Sequence, residues 1–160
     1  MKLVLQRVSS SSVRVAGREI ARIAGGLTIL LGAEKGDTAE QVRYLAEKTV
    51  NLRMFPDEQG KMNRSCLDVR GEILVVPQFT LAADCARGRR PGFDRAAPPE
   101  QAETLYRLFI DRIAGAGLTV AAGQFGADML VDIQNDGPVT FILEHHQPAE
   151  TLNPAQGGKA

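Results

Sequence analysis

Leu27-Thr28-Ile29-Leu30-Leu31 is apolar at every position but one, and its reading decides the fold. A five-residue apolar run is too short for a helix and shows no alternation, so it reads as a central strand covered on both faces. Upstream, Leu3 to Val8 alternates as a strand, Ser9 to Ser12 interrupts it, and Val13–Val15 and Arg18–Ile23 follow as strands. Ala16-Gly17 and Gly25-Gly26 supply the turns between them. Downstream, Asp37-Thr38-Ala39-Glu40 predicts a helix start, with Asp37 as the cap and Glu40 three residues on. Val42, Leu45, Ala46, Thr49 and Val50 then share one helical face. Glu72 to Phe79 reads as a strand and residues 82–97 as a long loop. A second helix begins at Pro98-Pro99-Glu100, carries Leu105, Leu108, Phe109, Arg112 and Ile113 at helical spacing, and ends at Gly115–Gly117. Leu118–Ala121, Met129–Ile133 and Val139–Leu143 read as strands, with Asp136-Gly137-Pro138 as a plain turn before the last. The pattern predicts an α/β (α+β) fold, a largely antiparallel, twisted sheet with two main helices. Residues 1–146 form one domain in this scheme, and the polar, Pro- and Gly-containing segment 147–160 a flexible tail.

A domain of 160 residues needs neither disulfide nor metal to fold. No apolar run approaches the length of a membrane helix, and Met1 to Arg7 lacks the features of a signal peptide, so a cytoplasmic protein with no membrane partner is expected. Cys66 and Cys85 lack metal or redox spacing and read as small packing residues. The 19 basic and 19 acidic residues cancel, so overall charge announces no nucleic-acid partner. The densest basic run, Arg87-Gly88-Arg89-Arg90, suits either phosphate contact or a solvated loop.

Chemistry is narrowed mainly by subtraction. The histidines are His145 and His146, adjacent and close to the tail, so neither a Ser-His-Asp triad nor a hydrolytic zinc site is expected. Phosphate-loop and dinucleotide fingerprints are missing. Any catalysis must use hydroxyls, amides, backbone groups, carboxylates or the substrate itself, which points to substrates already reactive. An aminoacyl ester of tRNA is one: its carbonyl is electrophilic, and backbone N–H groups can hold the developing oxyanion.

Leu5-Gln6-Arg7-Val8, Arg53-Met54-Phe55-Pro56-Asp57, Gly60-Lys61-Met62-Asn63, Gln78-Phe79-Thr80-Leu81, Gly88-Arg89-Arg90-Pro91, Phe125-Gly126-Ala127-Asp128-Met129 and Asn135-Asp136-Gly137-Pro138-Val139-Thr140 occur in this order over residues 1–144. In order and spacing the set resembles the D-aminoacyl-tRNA deacylases (the D-tyrosyl-tRNA deacylase family). The resemblance implies a homodimer with active sites at the subunit interface, an aminoacyl-tRNA substrate, no metal or cofactor and no DNA partner. It implies hydrolysis of D-aminoacyl-tRNA, and of glycyl-tRNA, in a pocket that excludes L-amino acids.

Residue by residue, the resemblance makes Gly137-Pro138 a cis pair whose carbonyls enter the partner's pocket, and Arg7 the residue that braces it. Thr80 and Gln78 become the catalytic pair beside the ester, with Thr80 positioning water or substrate. Phe79, Phe125 and Met129 become walls for substrate and terminal adenosine, and Arg87, Arg89 and Arg90 contacts to the acceptor stem. Taken singly these residues read more simply. Arg7 is a solvent-facing strand residue, Thr80 a strand hydroxyl bonded to backbone, Gln78 a surface amide, and the aromatics and methionine core residues. Pro77 departs from the resemblance, which leads one to expect serine there. It motivates a second hypothesis, a same-fold editing enzyme with relaxed chirality. A third is a non-catalytic RNA-binding dimer.

Overall fold

The computed structural model describes residues 1–146; the tail expected over 147–160 lies outside the described residues. In chain order the elements are β1 (Lys2–Val15), β2 (Arg18–Ile23), β3 (Gly26–Gly32), α1 (Ala39–Asn51), β4 (Phe55–Pro56), β5 (Met62–Arg64), α2 (Cys66–Val69), β6 (Glu72–Pro77), a 3-10 turn (Phe79–Ala82), α3 (Pro99–Gly115), β7 (Val120–Ala122) and β8 (Leu130–Glu144). β1 lies antiparallel to β2, β3 and β8, while β6 runs parallel to both β3 and β7. The sheet is thus mixed, with its antiparallel half built on β1.

The expected break at Ser9–Ser12 does not occur. Ser11 and Ser12 are buried, and the Ser11 hydroxyl donates to the Asp132 carbonyl at 2.6 Å. A neighbouring strand supplies the acceptors, so the serines continue the strand. β3 is buried at nearly every position, as its apolar run predicts. At its start Gly26 lies against β6 so closely that a Cβ would stand 1.9 Å from the Glu72 carbonyl oxygen.

One face of the sheet carries Leu3, Leu5, Ile29, Ile73 and Val75 against α1 and α3, where Leu45, Leu105 and Phe109 complete the main core. The other face carries Val8, Val13, Ile23, Leu74 and Val76, covered by Val131 and Ile133 of β8. Two cores on one curling sheet make the architecture barrel-like. Val42, Leu45, Ala46, Thr49 and Val50 are buried on α1 as the spacing predicts. On α3 the buried set is Ala102, Leu105, Tyr106, Phe109 and Ile113, with Arg112 exposed. Cys66 is buried, which pushes its thiol up to about 12, whereas Cys85 is exposed and not the buried packing residue expected.

The α1 cap also differs from the expectation. Thr38 is the N-cap, in a capping box with Gln41. Asp37 is drawn elsewhere: its carboxylate accepts from the Met1 ammonium at 2.6 Å and from the Glu34 N–H at 2.6 Å, all buried. Thr38→Ala is expected to cost about 1 kcal/mol in urea unfolding. Asp37→Ala is expected to cost more, roughly 3 kcal/mol, because a buried charge loses its nearest partner. Equal losses would argue that Asp37 acts only as a cap.

Candidate active site

β6 ends at Pro77, and the chain folds back at once. Gln78 donates its N–H to the Leu31 carbonyl at 2.7 Å, and the 3-10 turn that follows packs against Gly32, where a Cβ would meet Gln78 O at 2.9 Å and Leu81 Cβ at 2.8 Å. Phe79 and Thr80 therefore sit on a turn, not on the strand expected through Phe79, and both are exposed. The Gln78 amide donates to Thr80 Oγ1 at 2.5 Å. Its hydroxyl proton stays free to serve another acceptor. The turn's first N–H groups, those of Phe79 and Thr80, have no partner within it.

Beside this turn opens a cavity of about 810 Å³. Pro77, Gln78 and Phe79 form one wall, Phe125 and Met129 another, and Tyr106 of α3 the floor between them. The structure thus brings together four sequence-predicted residues, Gln78, Phe79, Phe125 and Met129, with Thr80 next to them. Phe93 also lines the cavity, its ring 5.1 Å from that of the half-exposed Phe79. Sequence reasoning missed both Tyr106 and Phe93. Tyr106 had a signal, since it adjoins Leu105 on the buried stripe; Phe93 had none inside a loop.

Arg87, Arg89 and Arg90 are exposed on the segment between Asp84 and Gly92, whose backbones exchange hydrogen bonds of 2.8 and 2.9 Å. Phe93, the residue after that pinch, lines the cavity. The three arginines take part in no ion pair among the described residues. His145 lies against the Tyr44 ring, and His146 faces Glu34 and Glu144; neither lines the cavity.

Arg7 is not a solvent-facing strand residue. It is 9% exposed, and its guanidinium donates to the Met54 carbonyl at 2.8 Å and the Asp136 carbonyl at 3.1 Å, with the Asp136 carboxylate at 3.3 Å. Opposite it, β8 slips: Gln6 faces Thr140 but Val8 faces Asn135, so Arg7 alone spans Asp136 to Val139. Asp136-Gly137-Pro138 is accordingly a bulge inside one long strand, not a turn between two, and its Gly137–Pro138 peptide is cis. The bulge is exposed.

In one chain the bulge and the cavity do not meet. Arg7 is registered with Leu27, whereas Pro77 is registered with Leu31, four residues farther along β3. At about 3.3 Å per residue that is roughly 13 Å along the sheet, before the strands in between are counted. Gly137 and Pro138 do not line the cavity.

The family model described as D-Tyr-tRNA(Tyr) deacylase matches residues 4–144. The chain belongs to this family. A D-aminoacyl-tRNA deacylase of Geotalea daltonii is 56% identical over 144 residues, covering 90% of this chain and 96% of the relative. One of Geotalea uraniireducens is 55% identical over 144 residues, covering 90% and 93%. A solved structure, described as c-Myc DNA Unwinding Element Binding Protein, is 43% identical and superposes with a TM-score of 0.86 over 91% of this chain and 99% of its own. The D-Tyr-tRNA(Tyr) deacylase family thus accounts for nearly the whole described fold, and the relatives' names are those of ester hydrolases.

Within this deacylase family Pro77 is the residue that needs explaining. Along β6, Ile73 and Val75 bond toward β7, through Ile73 N–H to Thr119 O and Gly123 N–H to Val75 O. Gln78 bonds toward β3. The alternation assigns position 77 to the β7 side, but β7 has ended at Ala122. Gly123 still lies beside Pro77 past the end of β7, and its carbonyl accepts from the Tyr106 hydroxyl, so a proline without an N–H leaves no acceptor there unpaired. The Pro77 ring forms cavity wall.

Two substitutions separate these roles. Gly137 has φ 125°, and an added Cβ would stand 2.9 Å from Arg7 Nη2 and 2.9 Å from Val139 Cγ2. Gly137→Ala is therefore expected to destabilise by about 1–3 kcal/mol, lowering Tm by several degrees. Pro77→Ser is expected to leave Tm within about 2 °C, since no backbone bond depends on it. Calorimetry of both variants checks the pair; an unchanged Tm for Gly137→Ala would contradict the packing around Arg7.

Proposed function

We propose that the protein hydrolyses the ester between tRNA and a D-amino acid, or glycine, as a cytoplasmic homodimer whose two active sites each combine the cavity of one protomer with the Gly137–Pro138 bulge of its partner. The observation that carries this reading is the division just described: one chain bears both halves of the expected site, exposed and apart. A half-buried to exposed apolar row runs across β8, β1 and β3 as Ile142, Val4 and Leu30, in register. Ile142 is 63% exposed. An isologous contact over this face would place each bulge toward the other copy's cavity.

In the assembled site the ester carbonyl lies by the turn. The free N–H groups of Phe79 and Thr80 face the oxygen that becomes negative, which is worth a few kcal/mol in a water-poor pocket. Thr80 Oγ1, already accepting from Gln78, directs its own proton to substrate or water. Among the described residues no carboxylate or imidazole is hydrogen-bonded to it, so it acts as a positioner and not as a nucleophile. A water oxygen attacks the carbonyl carbon, the bond to the ribose oxygen breaks, and that oxygen takes up the proton, with the vicinal hydroxyl assisting. The terminal adenosine occupies the Phe125 and Met129 side, as bases do on apolar walls. The partner's bulge carbonyls accept from the α-ammonium. That contact fixes the α-carbon, so an L side chain would strike rigid backbone while a D side chain or hydrogen would not.

Deacylation of D-tyrosyl-tRNA with L-tyrosyl-tRNA left intact is the expected result in a labelled-ester assay; equal rates would favour the relaxed-chirality alternative. Thr80→Ala and Gly137→Ala homodimers are each expected to be inactive. Mixed by co-refolding, they should regain roughly a quarter of wild-type activity, because half the dimers then hold one intact composite site. No recovery would place each site within a single chain. Replacing Arg87, Arg89 and Arg90 by Gln is expected to raise KM for tRNA esters and to flatten its salt dependence, with kcat little changed.

A further inference from the structure

Tyr106 is 3% exposed at the cavity floor, and none of the steps above uses its hydroxyl. That hydroxyl donates toward two backbone carbonyls, Val75 O at 2.8 Å and Gly123 O at 3.0 Å. Val75 lies two residues before Pro77, and Gly123 two residues before Phe125. The single proton is thus shared between the bases of the two cavity walls, below where they part. Burial raises the phenol well above its ordinary value, so it remains a donor throughout the working pH range. Two further contacts tighten the same junction. The Tyr106 ring lies 6.1 Å from that of Phe125. A Cβ on Gly123 would meet Met129 Sδ at 2.9 Å and Pro77 Cδ at 3.2 Å, so the two walls touch across a glycine.

We propose that Tyr106 is a positioning residue that sets the width of the cavity for the terminal nucleotide of the substrate, by tying the wall of Pro77 and Gln78 to the wall of Phe125 and Met129. The inference rests on the reading of this cavity as the adenosine site. Loss of the hydroxyl leaves the Gly123 carbonyl without that partner, frees the Gln124–Met129 segment to move from β6, and widens the slot in which a base is held. Gly123→Ala would act from the other side, driving the Met129 thioether inward and narrowing it.

The test uses the full chain labelled at its methionine methyl groups, four resonances in all, titrated with 5′-AMP as the probe. AMP is expected to move the Met129 methyl resonance in the wild type. Tyr106→Phe should weaken AMP binding roughly fivefold or more, and Gly123→Ala should weaken it as well. Ile113→Val, a core change elsewhere on α3, serves as the stability control and should bind within about twofold of wild type. In deacylation assays Tyr106→Phe should raise KM with kcat nearly unchanged. Wild-type affinity in Tyr106→Phe at a lowered Tm would reduce the residue to a structural role and overturn the proposal. So would an AMP titration that leaves Met129 unmoved. A wild type that binds AMP at Met129 but hydrolyses no D-aminoacyl ester would instead refute the proposed function while leaving the nucleotide readout to decide the role of Tyr106.

Discussion

A guanidinium taken out of water must find hydrogen-bond acceptors or cost several kcal/mol, and Arg7 meets that constraint in the middle of the sheet. Its acceptors come from two places far apart in sequence, the Met54 carbonyl before β4 and the Asp136 carbonyl and carboxylate in β8. The slip of β8 against β1 occurs opposite this residue. The strand resumes pairing on either side, so the bulge is held in a ladder and not hung on a loop. That arrangement presents Gly137 and Pro138 outward on rigid backbone.

The same sheet builds the cavity by a different means. β6 is flanked by β3 along its length but outlasts β7, which ends at Ala122. Past the end of β7 only Gly123 lies beside Pro77, whose ring forms cavity wall, and the 3-10 turn sets Gln78 on the lining with Thr80 next to it. The lining is mostly apolar, with the Gln78 amide and the charged groups of Lys35, Asp94 and Asp128, and the Thr80 hydroxyl stands beside it with no imidazole among the lining residues. That inventory suits an ester that needs orientation and oxyanion stabilisation more than a strong base.

Most of the regular elements were legible in the chain. The apolar run at Leu27–Leu31, the stripes of α1 and α3 and the proline start of α3 carry local patterns whose physical meaning does not depend on distant partners. The misreadings share a cause. Ser9–Ser12 read as a break because the acceptor at Asp132 lies over a hundred residues away. Asp37 read as a cap because the Met1 ammonium that claims it is remote in sequence. Asp136-Gly137-Pro138 has the composition of a turn, and only the continuation of the β1 ladder on both sides makes it a bulge. β4, β5 and α2 are too short to carry a period and escaped notice.

The candidate site divides along the same line. By itself the sequence determined which residue types are available, gave no ground to expect a histidine triad or a hydrolytic zinc site, and through its ordered motifs pointed to the family and to Thr80, Gln78, Arg7 and Gly137-Pro138. Tertiary structure alone decided that Arg7 is buried, that Thr80 stands on a turn, that Tyr106 ties the two cavity walls, and that the bulge and the cavity lie at separate places on one chain. Local pattern reports which face of an element is apolar. Where two segments distant in sequence meet is set by strand register and by the demand of buried polar groups for partners, and neither is written in any one segment.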